Sequence, residues 1–260
     1  LTGIDIAKIS FEGPEEKLNE TKYSQLAILT NSLAILEILK ENDVMPEISA
    51  GLSLGEYTAL INSNVISFDE GIKLVQKRGE CMQNYLPEGD WQMAAIMGLT
   101  DEQVEEVCKK VKSGFVVPAN YNCMGQVAIS GEKDAVLEAQ ELTKEAGAKK
   151  AIVLKTAGPF HTEKLNKASE MFKKELENIN INDFKVKVIK NLDGEEYRNT
   201  DDVKEILAKH MVNPVRFSKT LENMLNEGID TFVEIGPGKT LSGFVKRMPT
   251  EKDIKILNIN

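Results

Sequence analysis

The sequence predicts an α/β fold in which a mostly parallel sheet is covered by helices on both faces, with a small second unit set into it. Three observations predict this. Short apolar runs alternate with segments of helical period along most of the chain, and strands joined through crossover helices become parallel neighbours. Between residues 90 and 155 the order changes to strand, helix, strand, strand, helix, strand, the split βαβ or ferredoxin-like pattern. The length of 260 residues, 42% hydrophobic and 28% charged, suits one large α/β domain with an insert and is far from the disordered regime.

Taken in order, residues 1–20 read as the tail of a helix and a loop. Leu26, Leu29, Leu33, Leu36 and Leu39 recur on one helical face over residues 22–40. A short strand follows Pro46 at residues 47–50, then a glycine-flanked turn and a helix to about Asn64. Ser67 and Glu70 form a capping-box pattern that opens a helix to about Tyr85. In the second unit, strands are expected at 93–97, 115–119, 126–130 and 151–155, with helices at 100–111 (opened by a Thr100–Gln103 capping box) and 133–146. The main unit resumes with a helix over 162–178 and a strand over 184–189, then helices on either side of Asn213-Pro214. Gly228 stands where a helix should end, residues 229–235 form an apolar strand, and a last helix starts near Lys239. The expected division is 1–89 with 156–260 as the main domain and 90–155 as the insert.

Composition removes several function classes. A net charge of −9 and a pI near 5 argue against a nucleic-acid binder, because phosphate contacts need clustered Lys and Arg. The three cysteines, Cys81, Cys108 and Cys123, fit no zinc spacing and predict free thiols in a reducing, cytoplasmic compartment. No metal-ligand set is expected. No apolar run is long enough to span a bilayer, and no charged-then-apolar leader opens the chain at Leu1, so no membrane partner is expected.

The chemistry is expected at Gly51-Leu52-Ser53-Leu54-Gly55, a G-x-S-x-G motif between a strand and a helix. In that context the serine sits on a sharp turn with its hydroxyl exposed, and the Leu54 N–H at the helix start points toward a developing oxyanion. A serine hydroxyl needs a base. The chain has two histidines, His161 and His210, and His161 follows Gly158-Pro159-Phe160 in a loop suited to a cleft.

With these motifs in hand, the sequence resembles the malonyl-CoA:acyl carrier protein transacylases of fatty acid synthesis. The resemblance runs from Phe11 to about Arg247. It is carried by Tyr23-Ser24-Gln25, GLSLGEYTAL at 51–60, Gln76-Lys77-Arg78-Gly79, Ala119-Asn120-Tyr121-Asn122, GPFH at 158–161, Asn213-Pro214-Val215 and EIGPGKTL at 234–241. It implies an α/β-hydrolase-like core with a ferredoxin-like insert. Ser53 would be the acylated nucleophile, His161 its base, and Leu54 an oxyanion N–H donor. Arg78 would pair with the malonyl carboxylate, and Gln25 and Asn120 would line the acyl pocket. Leu52 stands beside the nucleophile where the family usually has His. His210 falls at a position whose backbone carbonyl holds the catalytic imidazole, and its side chain is given no role. The resemblance implies no cofactor, malonyl-CoA being a substrate. It implies acyl carrier protein as partner and a monomer as the working form. A basic face for that carrier is expected at Lys239, Lys246 and Arg247 with Lys73 and Lys77.

One departure matters. The family's opening strand and Pro-Gly-Gln-Gly loop have no counterpart within residues 1–260, so a second oxyanion donor and a sheet strand are expected to be missing from this stretch. The readings that compete are a serine hydrolase or thioesterase, including a patatin-like enzyme using Asp193-Gly194, a free-standing acyltransferase of a polyketide synthase, and an inactive truncated fragment. Ordinary α/β-hydrolases place their histidine near the C-terminus, unlike His161.

Overall fold

Leucine spacing governs the first third of the chain. The computed structural model describes residues 1–155 and 158–260. Where a helix tail and loop were expected stand two short helices, α1 (Ile6–Glu12) and α2 (Glu15–Leu18). The Asp5 carboxylate starts α1 by accepting from the Lys8 N–H. Helix α3 (Thr21–Glu41) buries Leu26, Leu29, Leu33 and Leu36, while Leu39 is half-buried. After β1 (Ile48–Ser49) come α4 (Gly55–Asn62) and α5 (Phe68–Asn84). Only one arm of the expected Ser67–Glu70 box forms at the head of α5. Ser67 Oγ accepts from the Glu70 N–H, but the Glu70 carboxylate takes the Ser67 hydroxyl and two N–H groups of Asn180. Helices α3 and α5 lie so close at Gly79 that a Cβ there would sit 2.7 Å from the Lys22 Cα. Gly79 thereby sets the helix contact that brings Arg78 against Gln25.

The second unit forms as β2 (Trp91–Met97), α6 (Asp101–Lys110), β3 (Val116–Cys123), β4 (Gln126–Glu132), α7 (Lys133–Glu145) and β5 (Lys150–Val153). The Thr100–Gln103 box closes in both directions. The four strands order as β3-β4-β2-β5 with antiparallel pairings. One face packs Ile96, Val127 and Ile129 against Val104, Val107, Ala135 and Ala139 of the two helices. The other face carries Met93, Ala119 and Ala128 toward Phe160.

Beyond a 3₁₀ turn at Glu163–Leu165 come α8 (Asn166–Glu177), β6 (Lys187–Val188), α9 (Val203–His210), α10 (Phe217–Asn226), β7 (Thr231–Ile235), α11 (Thr240–Val245) and β8 (Lys255–Ile259). Helix α10 ends in a Schellman motif, with Ile229 N–H on the Met224 carbonyl and Gly228 N–H, at φ +99°, on that of Leu225. The strand expected over 184–189 shrinks to β6 because the Lys185 and Val186 N–H groups are taken by Ser63 Oγ. Strand β8 was not foreseen.

The sheets mix both senses. β1 pairs with β6 and β7 with β8, each in parallel, while the four-stranded sheet is antiparallel. The single mostly parallel sheet of the sequence reading is thus replaced, among the described residues, by two separate two-stranded ladders. A groove of about 380 Å³ runs between β1 and β7, lined among others by Ile48, Ser49, Phe232 and Val233. The expected restart of the main domain at residue 156 lies outside the described residues. Among those residues no helix is long and apolar enough to cross a membrane.

Candidate active site

The turn between β1 and α4 is built by close backbone approach. A Cβ on Gly51 would fall 2.2–2.5 Å from backbone atoms of Gly55, whereas one on Gly55 would meet nothing within 4 Å. Gly51→Ala is therefore expected to cost at least tenfold in Ser53 acylation, with a lowered Tm, and Gly55→Ala to leave both near the parent values. Equal losses in the two variants would count against this account of the turn.

Ser53 itself stands in the left-handed region at φ +51°, which for a residue with a Cβ costs roughly 1–3 kcal/mol. Asn191 holds it there. Its Oδ1 accepts from the Ser53 N–H at 2.6 Å, and its Nδ2 donates to the Gly51 carbonyl at 2.7 Å. The Leu54 N–H, at the head of α4, has no hydrogen-bond partner among the described residues. An N–H so placed can donate to an oxyanion formed at Ser53.

His161 comes from the loop after β5, also left-handed at φ +58° and buried. Its Nε2 lies 2.8 Å from Ser53 Oγ and its Nδ1 lies 3.0 Å from the His210 carbonyl oxygen. A carbonyl only accepts, so Nδ1 carries the proton and Nε2 presents its lone pair to the serine hydroxyl. Burial, then the charges of His210 and Arg78, hold the His161 pKa well below the usual histidine value. The imidazole is neutral at pH 7 and ready to accept a proton.

Arg78 reaches the same oxygen from α5. It is 1% exposed. Nη2 donates to Ser53 Oγ at 2.9 Å, Nη1 donates to Gln25 Oε1 at 2.5 Å, and Nε has no partner. The guanidinium lies 5.3 Å from the Tyr57 ring centroid. No carboxylate pairs with it among the described residues. A buried cation without an anion is costly, and a ligand carboxylate would relieve that cost.

The fold thus brings together Ser53, His161, Arg78, Gln25, the Leu54 N–H and the His210 carbonyl. Asn120 is buried on β3, where its backbone bridges Val215 in the segment after α9. Its side chain makes no hydrogen bond to Ser53, His161 or Arg78 among the described residues. Leu52 is half-buried against the cluster of Ile48, Cys123 and Val215. Asp193 is held by the Glu195 N–H and the Lys190 ammonium and makes no hydrogen bond to Ser53 among the described residues. Of the expected basic face, Lys73, Lys239, Lys246 and Arg247 are exposed, although Arg247 also donates to Gln126, and Lys77 pairs with Glu80. Sequence reasoning missed Asn191, Tyr197 and Glu56. Only Glu56 left a signal, as an acid inside the apolar stretch that follows the nucleophile.

The fold is that of an acyl-transfer enzyme, as comparison with known proteins shows. Residues 1–258 match the acyl transferase domain, and the chain belongs to that family. It is 43% identical to the malonyl CoA-acyl carrier protein transacylase of Bacillus subtilis over 94% of this chain and 77% of that protein. The solved transacylase of Clostridium perfringens is 45% identical, with a TM-score of 0.93 over 99% of this chain and 81% of that one. A malonyl-transacylase in complex with a type II PKS acyl-carrier protein is 36% identical, with a TM-score of 0.93 over 99% of this chain and 84% of that one.

Proposed function

We propose that this chain transfers a malonyl group from coenzyme A to the phosphopantetheine thiol of an acyl carrier protein, in fatty acid synthesis, through an ester on Ser53. The observation that carries the reading is the buried Arg78, without a carboxylate partner among the described residues and 2.9 Å from Ser53 Oγ.

In the first half-reaction Ser53 Oγ attacks the thioester carbon while its proton passes to His161 Nε2. The oxyanion rests on the Leu54 N–H. The C–S bond breaks, and His161 returns the proton to the departing CoA sulfur. In the second, the carrier thiol gives its proton to His161 and its sulfur attacks the seryl ester. The C–O bond breaks, and Ser53 recovers the proton. Arg78 holds the free carboxylate by its planar fork, with Gln25, Asn120 and Leu52 around the acyl group. The scheme draws on side chains and backbone alone, with no metal or cofactor.

The same reading takes residues 1–89 and 156–260 as an α/β-hydrolase-like core and 90–155 as a ferredoxin-like insert. The β3-β4-β2-β5 order and βαββαβ connectivity support the insert. It also takes the working form as a cytoplasmic monomer. In support, one chain supplies Ser53, His161 and Arg78, and the three thiols are free and buried.

The test is the intact mass of the protein after incubation with malonyl-CoA, with Ser53→Ala alongside. A malonyl-sized gain is expected in the parent and none in the variant. A covalent adduct on the variant would overturn the scheme. A polyketide carrier is the second reading, favoured by the relative in complex with a type II PKS carrier. Offering both carriers to the malonyl-enzyme and comparing kcat/KM decides between them.

A further inference from the structure

Beneath the dyad lies a second buried pair that the mechanism leaves unused. Glu56, one turn into α4 from the nucleophile, is fully buried, and His210 at the end of α9 is 1% exposed. Glu56 Oε2 lies 3.1 Å from His210 Nδ1 and accepts from the Asn191 N–H at 3.3 Å, while Oε1 accepts from the Tyr197 hydroxyl at 2.6 Å. The His210 ring stacks on the His161 ring, with centroids 4.9 Å apart and planes 28° apart. Its carbonyl takes the His161 Nδ1–H.

One carboxylate is therefore tied to both halves of the site. Through Asn191 it reaches the backbone that bends Ser53, since Asn191 holds both Ser53 N–H and the Gly51 carbonyl. Through His210 it reaches the face of the catalytic imidazole. A buried carboxylate persists only where its partners satisfy it, and breaking such a set leaves an unpaired charge in a dry interior. A role limited to stability would not require the imidazole to lie flat against the catalytic ring.

We propose that Glu56 and His210 are a positioning pair for the Ser53–His161 dyad: the Glu56 carboxylate fixes the His210 imidazole, and that ring both orients His161 and screens it from the Glu56 charge. Around His161 stand Ser53 at the nucleophile turn, Arg78 from α5 over the Tyr57 ring, His210 from α9 and the Asn213 backbone just after it, while Glu56 of α4, with the Tyr197 hydroxyl on it, lies behind His210. With the His210 ring gone, the Glu56 carboxylate acts on His161 unscreened. An anion nearby stabilises the imidazolium, so the catalytic pKa should rise.

This inference rests on the acyl-serine reading, so the experiment separates the two. The rate of CoA release in the first turnover is followed against pH in the parent, His210→Gln and the His210→Gln/Glu56→Gln double variant, with Tm recorded for each. The acidic limb is expected to move up by about one pH unit in His210→Gln and to return toward the parent in the double variant. Limbs that coincide in the parent and His210→Gln would overturn the pair while the parent's malonyl adduct still stood. Should the variants fail to fold, the parent decides alone. Its two histidines give two rings in a histidine-selective ¹⁵N spectrum. A slowly exchanging, hydrogen-bonded Nδ1–H on His210 is expected, and a freely exchanging one would overturn the pair.

Discussion

Replacing His161 with alanine is expected to slow malonylation of Ser53 by about 10²–10⁴-fold while leaving malonyl-CoA affinity near that of the parent. The reason is local. Among the described residues Ser53 Oγ has two partners, and of these only His161 Nε2, at 2.8 Å, can take its proton, because Arg78 donates. The parent's pH dependence carries the same signature. With the His161 pKa held well below the usual value by burial and by its charged neighbours, the first-turnover rate should be flat across neutral pH. It should fall only on the acid side of about pH 6.5, where an unperturbed histidine titrates. Stability follows the same group. A depressed folded-state pKa means that the unfolded chain binds more protons between the two values, so the contribution is present above about pH 6.5 and is lost as pH falls toward the folded-state value. His161→Ala should therefore flatten the Tm-against-pH curve on the acid side. First-turnover kinetics and thermal melts between pH 4.5 and 8 measure both. An acid limb centred on the ordinary histidine value would contradict the buried, neutral base.

How much of this was legible in sequence differs by element. The turn around Ser53 could be read because a glycine before a serine, between a strand and a helix, is what a tight backbone approach demands, and Gly51 against Gly55 is that approach. The elements from β2 to β5 could be read because their strand and helix periods are strong and their caps local, as Thr100 and Gln103 illustrate. Asn191 could not. It lies 138 residues from Ser53, in a segment with no helical or strand period, and only the folded chain brings its amide to the nucleophile's backbone. Strand β6 was overestimated because Ser63, more than a hundred residues earlier, takes the N–H groups that a strand would use. Strand β8 was missed because an isolated run of five residues gives too short a window for periodicity to act on. His210 was read for its carbonyl, which any residue supplies. Its side chain has a partner, Glu56, that lies 154 residues earlier and meets it only in the folded chain.

Arg78→Ala is expected to reverse the preference for a dicarboxylic acyl group. Loss of a buried, hydrogen-bonded charge partner costs about 2–5 kcal/mol, which is on the order of 30- to 5,000-fold in kcat/KM for malonyl-CoA. Acetyl-CoA should gain in relative terms, because its methyl group offers no carboxylate to a buried guanidinium whose partners among the described residues are Gln25 and Ser53. Arg78→Lys should recover only part of the loss. In the free enzyme the guanidinium spans Gln25 Oε1 and Ser53 Oγ at once, and an ammonium, as a point charge on a flexible stem, cannot hold that fork. A carboxylate arriving in the pocket would compete for these donors, drawing Nη2 away from Ser53 Oγ as the nucleophile is needed. Malonyl recognition and release of the serine oxygen would then be one event, and acetyl-CoA would obtain neither. Comparison of kcat/KM for the two thioesters in parent, Ala and Lys variants tests this. Equal losses for malonyl and acetyl would assign Arg78 to the nucleophile alone, and a selective loss for malonyl would assign it to the substrate's carboxylate.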